Sequence, residues 1–283
     1  MGHGGYDRCA AVERQKVYKT KSLEEIYTRN YMCPDMDPRN IAFRESRDSE
    51  EHPNSYDVTL IIDETGSMYT IPEILVKEIL PDIIQSIIDA GIPDVQVNVM
   101  FIGDCDTMRE QAPLQIGQYE SSDGMIEHWL TNGFLEGRGG SNGFESYSLA
   151  WYWIDRHVKT DAWDQRSMKG VVISIGDDSC QPLLRKESLD HYINDGAEDD
   201  VRATDILKSL LERKHVFHIH CENSRGAKPF VRTNWRKLLG PNAVLSTDSE
   251  GRDIKDLIPK LVLSAYNTEC GIEEAPEEDT SEL

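Results

Sequence analysis

The 283-residue sequence predicts a doubly wound α/β domain, with a mainly parallel sheet between two layers of helices. Two observations predict it. The stretch Asp57–Met68 opens with Val58, Leu60, Ile61 and Ile62, which leave almost no polar face. Near-continuous apolar runs of this kind belong to parallel strands covered on both sides. Further strands are predicted at Val95–Ile102, Gly170–Ile175 and His215–His220, and segments with helical spacing separate them. Strands that alternate with helices imply an α/β architecture.

Taken in order, residues 1–55 form a charged, partly extended region without sustained periodicity. Ser22-Leu-Glu-Glu25 has the form of a capping box and opens a short helix through Tyr31. Pro34, Asp35, Asp37 and Pro38 read as turns. The polar run Arg44–Pro53 either wraps over the domain or serves as a solvated linker. A domain over residues 56–268 follows. After the first strand, Thr70-Ile-Pro-Glu73 combines a capping box with a proline in the first turn. That helix is expected to reach Ala90, with Gly91 as its stop and Pro81 kinking or splitting it.

Residues 113–119 suit a short edge strand and Asp123–Leu130 a short helix. A helix over Phe144–Val158 carries Tyr147, Trp151 and Ile154 at core spacing. Helices are expected near Leu183–Tyr192, Ala203–Lys214, Trp235–Leu239 and Ile254–Tyr266, with a brief strand at Ala243–Leu245. Glu269–Leu283 holds seven acids and no base, the composition of a disordered tail.

A formal charge of −21 opposes binding to phosphate backbones and anionic lipid. No run of about eighteen apolar residues is present, so no membrane helix is expected. The amino terminus lacks the pattern of a signal peptide. Six cysteines without a Cys-x-x-Cys pair read as reduced thiols rather than a zinc site. The expected location is the cytoplasm, or a virion if the chain is phage-encoded. Cys105, Cys180 and Cys221 each follow a predicted strand, on one edge of the sheet. His218 and His220 share a strand face opposite His215, and buried, hydrogen-bonded histidines account for them better than a metal site does.

The chemistry-bearing stretch is Asp63-Glu-Thr-Gly-Ser67. Asp63, Thr65 and Ser67 place three oxygens at alternate positions after a buried strand, a set suited to a hard divalent cation such as Mg2+. The plainer reading is a side-chain-capped turn leading into the next helix. In open α/β sheets, ligands bind beyond the carboxyl ends of strands where the strand order switches. Asp104 and Asp177 also follow strands, and the glycine-rich loop Gly137–Gly143 can reach the same rim.

These pieces resemble a von Willebrand factor A (vWA) domain of the intracellular prokaryotic or phage type, whose fold is a Rossmann-like three-layer sandwich. The resemblance covers roughly residues 56–267. Asp63-Glu-Thr-Gly-Ser67 looks like the first loop of that family's metal-ion-dependent adhesion site. Gly140-Ser-Asn-Gly143 looks like its second loop, and Gly176-Asp-Asp178 its third. The resemblance implies that Thr65 and Ser67 bind the ion directly and Ser141 directly or through water. Asp63 and Asp177 would act through water or from behind. Asn142, Glu145 and Asp178 are further candidates. Gly176 departs from the pattern by lacking a hydroxyl, and Asp178 adds a charge.

The resemblance also implies a non-enzymatic function: a protein partner presents a carboxylate to Mg2+, with Mn2+ or Ca2+ as substitutes. A separate AAA+ ATPase of the MoxR type is the partner class that the family suggests. Two alternatives stand beside it. One is an Mg2+-dependent phosphohydrolase, against which the Thr65 in place of a second aspartate counts. The other is a structural component of a phage-like assembly.

Overall fold

The computed structural model describes residues 4–68, 70–106, 110–138, 143–222, 228, 230–247 and 250–272. Six strands build the central sheet: β1 (Tyr56–Asp63), β2 (Val95–Ile102), β3 (Leu114–Ile116), β4 (Gly170–Gly176), β5 (Lys214–Cys221) and β6 (Val244–Thr247). Their spatial order is β6-β5-β4-β1-β2-β3. All neighbours run parallel except β3, which is antiparallel to β2.

Strand alternation explains the two helical layers. Val58, Leu60 and Ile62 face one core with Ile83 of the helix Leu80–Asp89 and Ile258 of the helix Ile254–Cys270. Ile61, Met100 and Val172 face the other core, under the helices Tyr147–His157 and Ala203–Leu210. All eight residues of β1 are buried, as a central strand covered on both faces requires. The predicted α/β class is therefore the observed one. β1 lies between β2 and β4, so the connections after β1 and β4 leave in different directions and open a crevice. Register levels the rim there, pairing Asp63 with Ile102 and Ile62 with Ile175.

The helix after β1 is split, as Pro81 predicts. Thr70–Ile74 and Leu80–Asp89 are α-helical, and Leu75–Ile79 between them is a π-helical turn. Pro81 has no N–H, and its ring excludes the carbonyl four residues back, that of Lys77. The wider turn removes that conflict. Gly91 ends the helix at φ +95°.

Several boundaries differ from expectation. Arg8–Tyr18 is an α-helix capped by Asp7, whose side chain accepts from the Ala10 N–H, a helix the partly extended reading of residues 1–55 does not include. Arg14 pairs with Asp123 and Glu127, and Arg8 with Asp82. Charge pairs thus join the apolar contacts of Tyr6 and Tyr18, and no long apolar stripe betrays the helix in the sequence. The capping box at Ser22 forms, but its helix spans only Leu23–Ile26. Arg44–Ser46 pairs in parallel with Val158–Thr160, and Arg47 reaches Asp161 and Asp164, so this run wraps over the domain.

Phe144–Glu145, expected as helix, pairs instead with Ser179–Cys180. The helix from Ala203 stops at Leu210 because Lys214 begins β5. The last helix continues to Cys270, and Glu269, expected in the tail, accepts from the Lys169 N–H at 2.9 Å. The rest of the acidic tail, residues 273–283, lies outside the described residues. Among the described residues no helix is long and apolar enough to cross a membrane.

Candidate cation site at the strand switch point

Asp63 ends β1 fully buried. Its Oδ1 accepts from the Thr65 N–H at 2.9 Å and from the Thr65 hydroxyl at 2.7 Å, which folds the chain back in an aspartate-capped turn. Thr65 Oγ1 lies 3.3 Å from Ser67 Oγ. The alternate spacing thus gathers the three side chains. Neighbouring ligands of an octahedral ion stand about 3.0 Å apart for Mg2+–oxygen distances and about 3.4 Å for those of Ca2+. The observed spacing falls between, and it is equally that of a hydrogen bond between the two hydroxyls. Gly66 is needed for close approach rather than for an unusual φ: a Cβ there would lie 2.9 Å from the Gly137 carbonyl oxygen.

The second carboxylate oxygen of Asp63 accepts from the Tyr147 phenol at 2.9 Å. This explains the departure at Gly176. A Cβ at that position would fall 1.7 Å from the Tyr147 oxygen and 2.9 Å from Asp63 Oδ2. In this chain a phenol from the neighbouring helix occupies the space that a side chain at 176 would fill. Asp177, next along, is also fully buried. Burial, and then the charge of Asp177, push Asp63 up to about 7 against the hydrogen bonds from Thr65 and Tyr147. Asp178 does not contribute a bare charge, since its Oδ1 lies 3.5 Å from Lys228 Nζ. Its backbone carbonyl accepts from the Trp235 indole at 3.0 Å.

Ser141 and Asn142 lie outside the described residues. Glu145 is placed beside the site by the pairing with Ser179–Cys180 and by the Ser146 N–H, which bonds the Gly103 carbonyl at 2.9 Å. Its side chain is buried, and Oε2 has no hydrogen-bond partner among the described residues. Burial first, and then Asp63, Glu110, Asp104 and Asp178, raise its pKa well above the usual carboxyl range.

Two further acids at the rim escape sequence reasoning. Glu64 accepts from the Gly137 N–H at 3.1 Å, and Glu110 from the Asp104 N–H. Both reach over Gly103, where a Cβ would lie 2.1 Å from Glu110 Oε2 and 3.3 Å from Glu64 Oε1. Burial is the main cause that pushes Glu110 up to about 7 and Glu64 well above its ordinary value. Glu64 occupies a free position of the motif, and nothing local marks Glu110. Among the described residues, no group of three or more acids, histidines or cysteines is placed to hold a metal.

Of the remaining sequence candidates, Cys221 feels the charges of Asp177 and Asp63, and His220 that of Asp177, so both neighbour the site. Cys105 and Cys180 belong to one core and Cys221 to the other, so the three do not cluster. All six cysteines are free thiols, and burial pushes Cys105 and Cys180 up to about 12. His218 stacks on Trp235 with ring centres 3.7 Å apart, and its Nδ1 lies 3.0 Å from Ser174 Oγ. His215, on the opposite face, meets Glu269 at 2.7 Å.

No family model matches the chain, and no curated protein matches it. Its structure is similar to the pilus adhesin SpaC from Lactobacillus rhamnosus GG in the open conformation. The TM-score is 0.52 at 13% identity, covering 75% of this chain and 30% of the adhesin. A second structure of that adhesin gives 0.52 at 13% identity, covering 77% and 32%. An aerotolerance-related membrane protein from Bacteroides fragilis NCTC 9343 gives 0.44 at 11%, covering 74% and 99%. The chain spans about a third of the length of the adhesin it matches. At such identity the likeness shows the fold alone, a three-layer α/β sandwich consistent with the vWA-like and Rossmann-like arrangement.

Proposed function

We propose that the chain is a cation-dependent protein-binding module. The reading is carried by the convergence of Asp63, Thr65 and Ser67 at the strand switch point, with Asp177 beside them. In this reading the hydroxyls of Thr65 and Ser67, with Ser141, hold Mg2+, and Mn2+ or Ca2+ can replace it. A bound ion supplies a hard positive centre with a position open to a partner's carboxylate. Asp63 orients the Thr65 hydroxyl, and the Tyr147 phenol fixes Asp63. Asp177 adds charge from behind. A separate AAA+ ATPase of the MoxR type as the partner rests on the family resemblance alone.

The test is thermal unfolding of wild type and Asp63→Ala during titration with Mg2+, Mn2+ and Ca2+. An ion at a hundred times its Kd should stabilise wild type by about 2.7 kcal/mol and leave Asp63→Ala unmoved. Capture of a partner should depend on the ion and disappear in Asp63→Ala. Equal behaviour of the two proteins overturns the reading. Turnover of p-nitrophenyl phosphate that Asp63→Ala abolishes would replace it with phosphohydrolase chemistry.

A further inference from the structure

The helices Ala203–Leu210 and Val231–Leu239 both cover the second core of the sheet, and a trough runs between them. Phe144, Pro182, Trp235 and Leu238 wall its upper part, a cleft of about 330 Å³. Thr204 and Leu238 also line the lower part, a cleft of about 520 Å³ walled by Leu207 and by Leu211, which is 43% exposed. The two clefts share side chains and lie end to end, so they form one open trough with an apolar floor.

Its charge runs against the rest of the molecule. The chain has 51 acids against 30 lysines and arginines. Among the described residues, the upper cleft is lined by Lys237 and no acid. The lower cleft is lined by Lys169, Lys208 and one acid, Glu212. Lys169 is held in place, its amine donating to the Leu211 carbonyl at 2.8 Å. Lys208 and Lys237 are exposed and form no ion pair among the described residues. Elsewhere Lys77 pairs with Glu73 and Lys186 with Asp190. Two unpaired cations beside an apolar floor, on a strongly acidic protein, fit an anionic and apolar occupant.

We propose that this trough binds an extended acidic segment with apolar side chains, supplied by a partner protein. An eight-residue helix such as Ala203–Leu210 is about 12 Å long, room for about four extended residues. Alternate side chains of such a segment enter the floor between Leu207 and Leu238, and the others meet Lys208 and Lys237. No proposed cation ligand takes part, so the site stands apart from the function proposed above.

The experiment uses the full chain in EDTA with a fluorescein-labelled peptide of alternating leucine and glutamate. Saturable binding is expected. It should weaken about tenfold in the Lys208→Glu/Lys237→Glu variant and fall with added salt. Thermal unfolding checks that the charge-reversal variant is folded. No saturable binding up to about 1 mM peptide overturns the proposal, as does equal binding of a leucine–lysine peptide or equal binding by the charge-reversal variant. A chain lacking residues 273–283, which include six acids, is the last arm. If the peptide binds only that shortened chain, the occupant is the chain's own segment and the partner reading is overturned. EDTA keeps the cation site out of the measurement, so failure here leaves the cation test standing.

Discussion

Asp57 and Asp63 sit at opposite ends of β1, on the same face of the sheet, and both side chains are fully buried. Their surroundings differ. Asp57 faces the Lys214 amine, itself 5% exposed, from the start of β5. Gly170 on β4 makes room, since a Cβ there would lie 2.0 Å from Asp57 Oδ2. Among the described residues, Asp63 receives hydrogen bonds from Thr65 and Tyr147, and Asp177, Glu145 and Glu64 are the acids near it. A buried carboxylate with its own ammonium is a charge-matched structural pair, although Asp57 Oδ1 has no hydrogen-bond partner among the described residues. A buried carboxylate among hydroxyls and other acids leaves its compensating charge to come from a proton or a cation. The amino edge of the sheet holds the fold, and the carboxyl edge offers the chemistry.

The largest expected effect breaks the charge-matched pair. Lys214→Met strands the Asp57 charge and should cost about 3–5 kcal/mol in urea unfolding. The double variant Asp57→Leu/Lys214→Met should recover most of that loss. A single variant as stable as wild type would show that Asp57 is not held by Lys214.

A smaller effect is expected at the other end. Gly176→Ala drives a methyl group into the Tyr147 phenol and should cost about 1–3 kcal/mol. Adding Tyr147→Phe should restore part of it, because the nearest atom is then gone. No recovery in the double variant would place the conflict elsewhere.

The smallest effect is a pH slope. Asp63 has a folded-state value of about 7, above its ordinary 3.8, so the folded protein binds the proton more tightly than the unfolded chain. Its contribution to stability is fully present below about pH 4 and is lost as pH rises toward 7. Glu110, also pushed up to about 7, acts in the same direction. In EDTA, Asp63→Asn should flatten the decline of Tm between pH 4 and 7. Parallel profiles for variant and wild type would show that Asp63 does not carry the slope.

Different physical ranges separate what was legible from what was not. β1, β2 and β4 were readable because burial on both faces leaves a largely apolar local run. The first loop was readable because Asp63, Thr65 and Ser67 are near neighbours in the chain and close on one another through an aspartate-capped turn. Tyr147 was readable only by half. Its helical spacing marked it as core, and it does pack edge-on against Trp235 at 5.0 Å. Its hydrogen bond to Asp63 joins residues 84 apart and leaves no local trace.

By itself, the sequence determined the α/β class, the central strand and the short-range oxygen cluster at its end. These follow from side-chain alternation and from turns of a few residues. Only the tertiary structure decided which acids meet there. Glu110 and Glu145 arrive from other elements, Asp178 finds Lys228, and Asp57 finds Lys214 across 157 residues. Which buried charges are matched depends on long-range packing, because burial and Coulomb forces act on distance in space rather than along the chain.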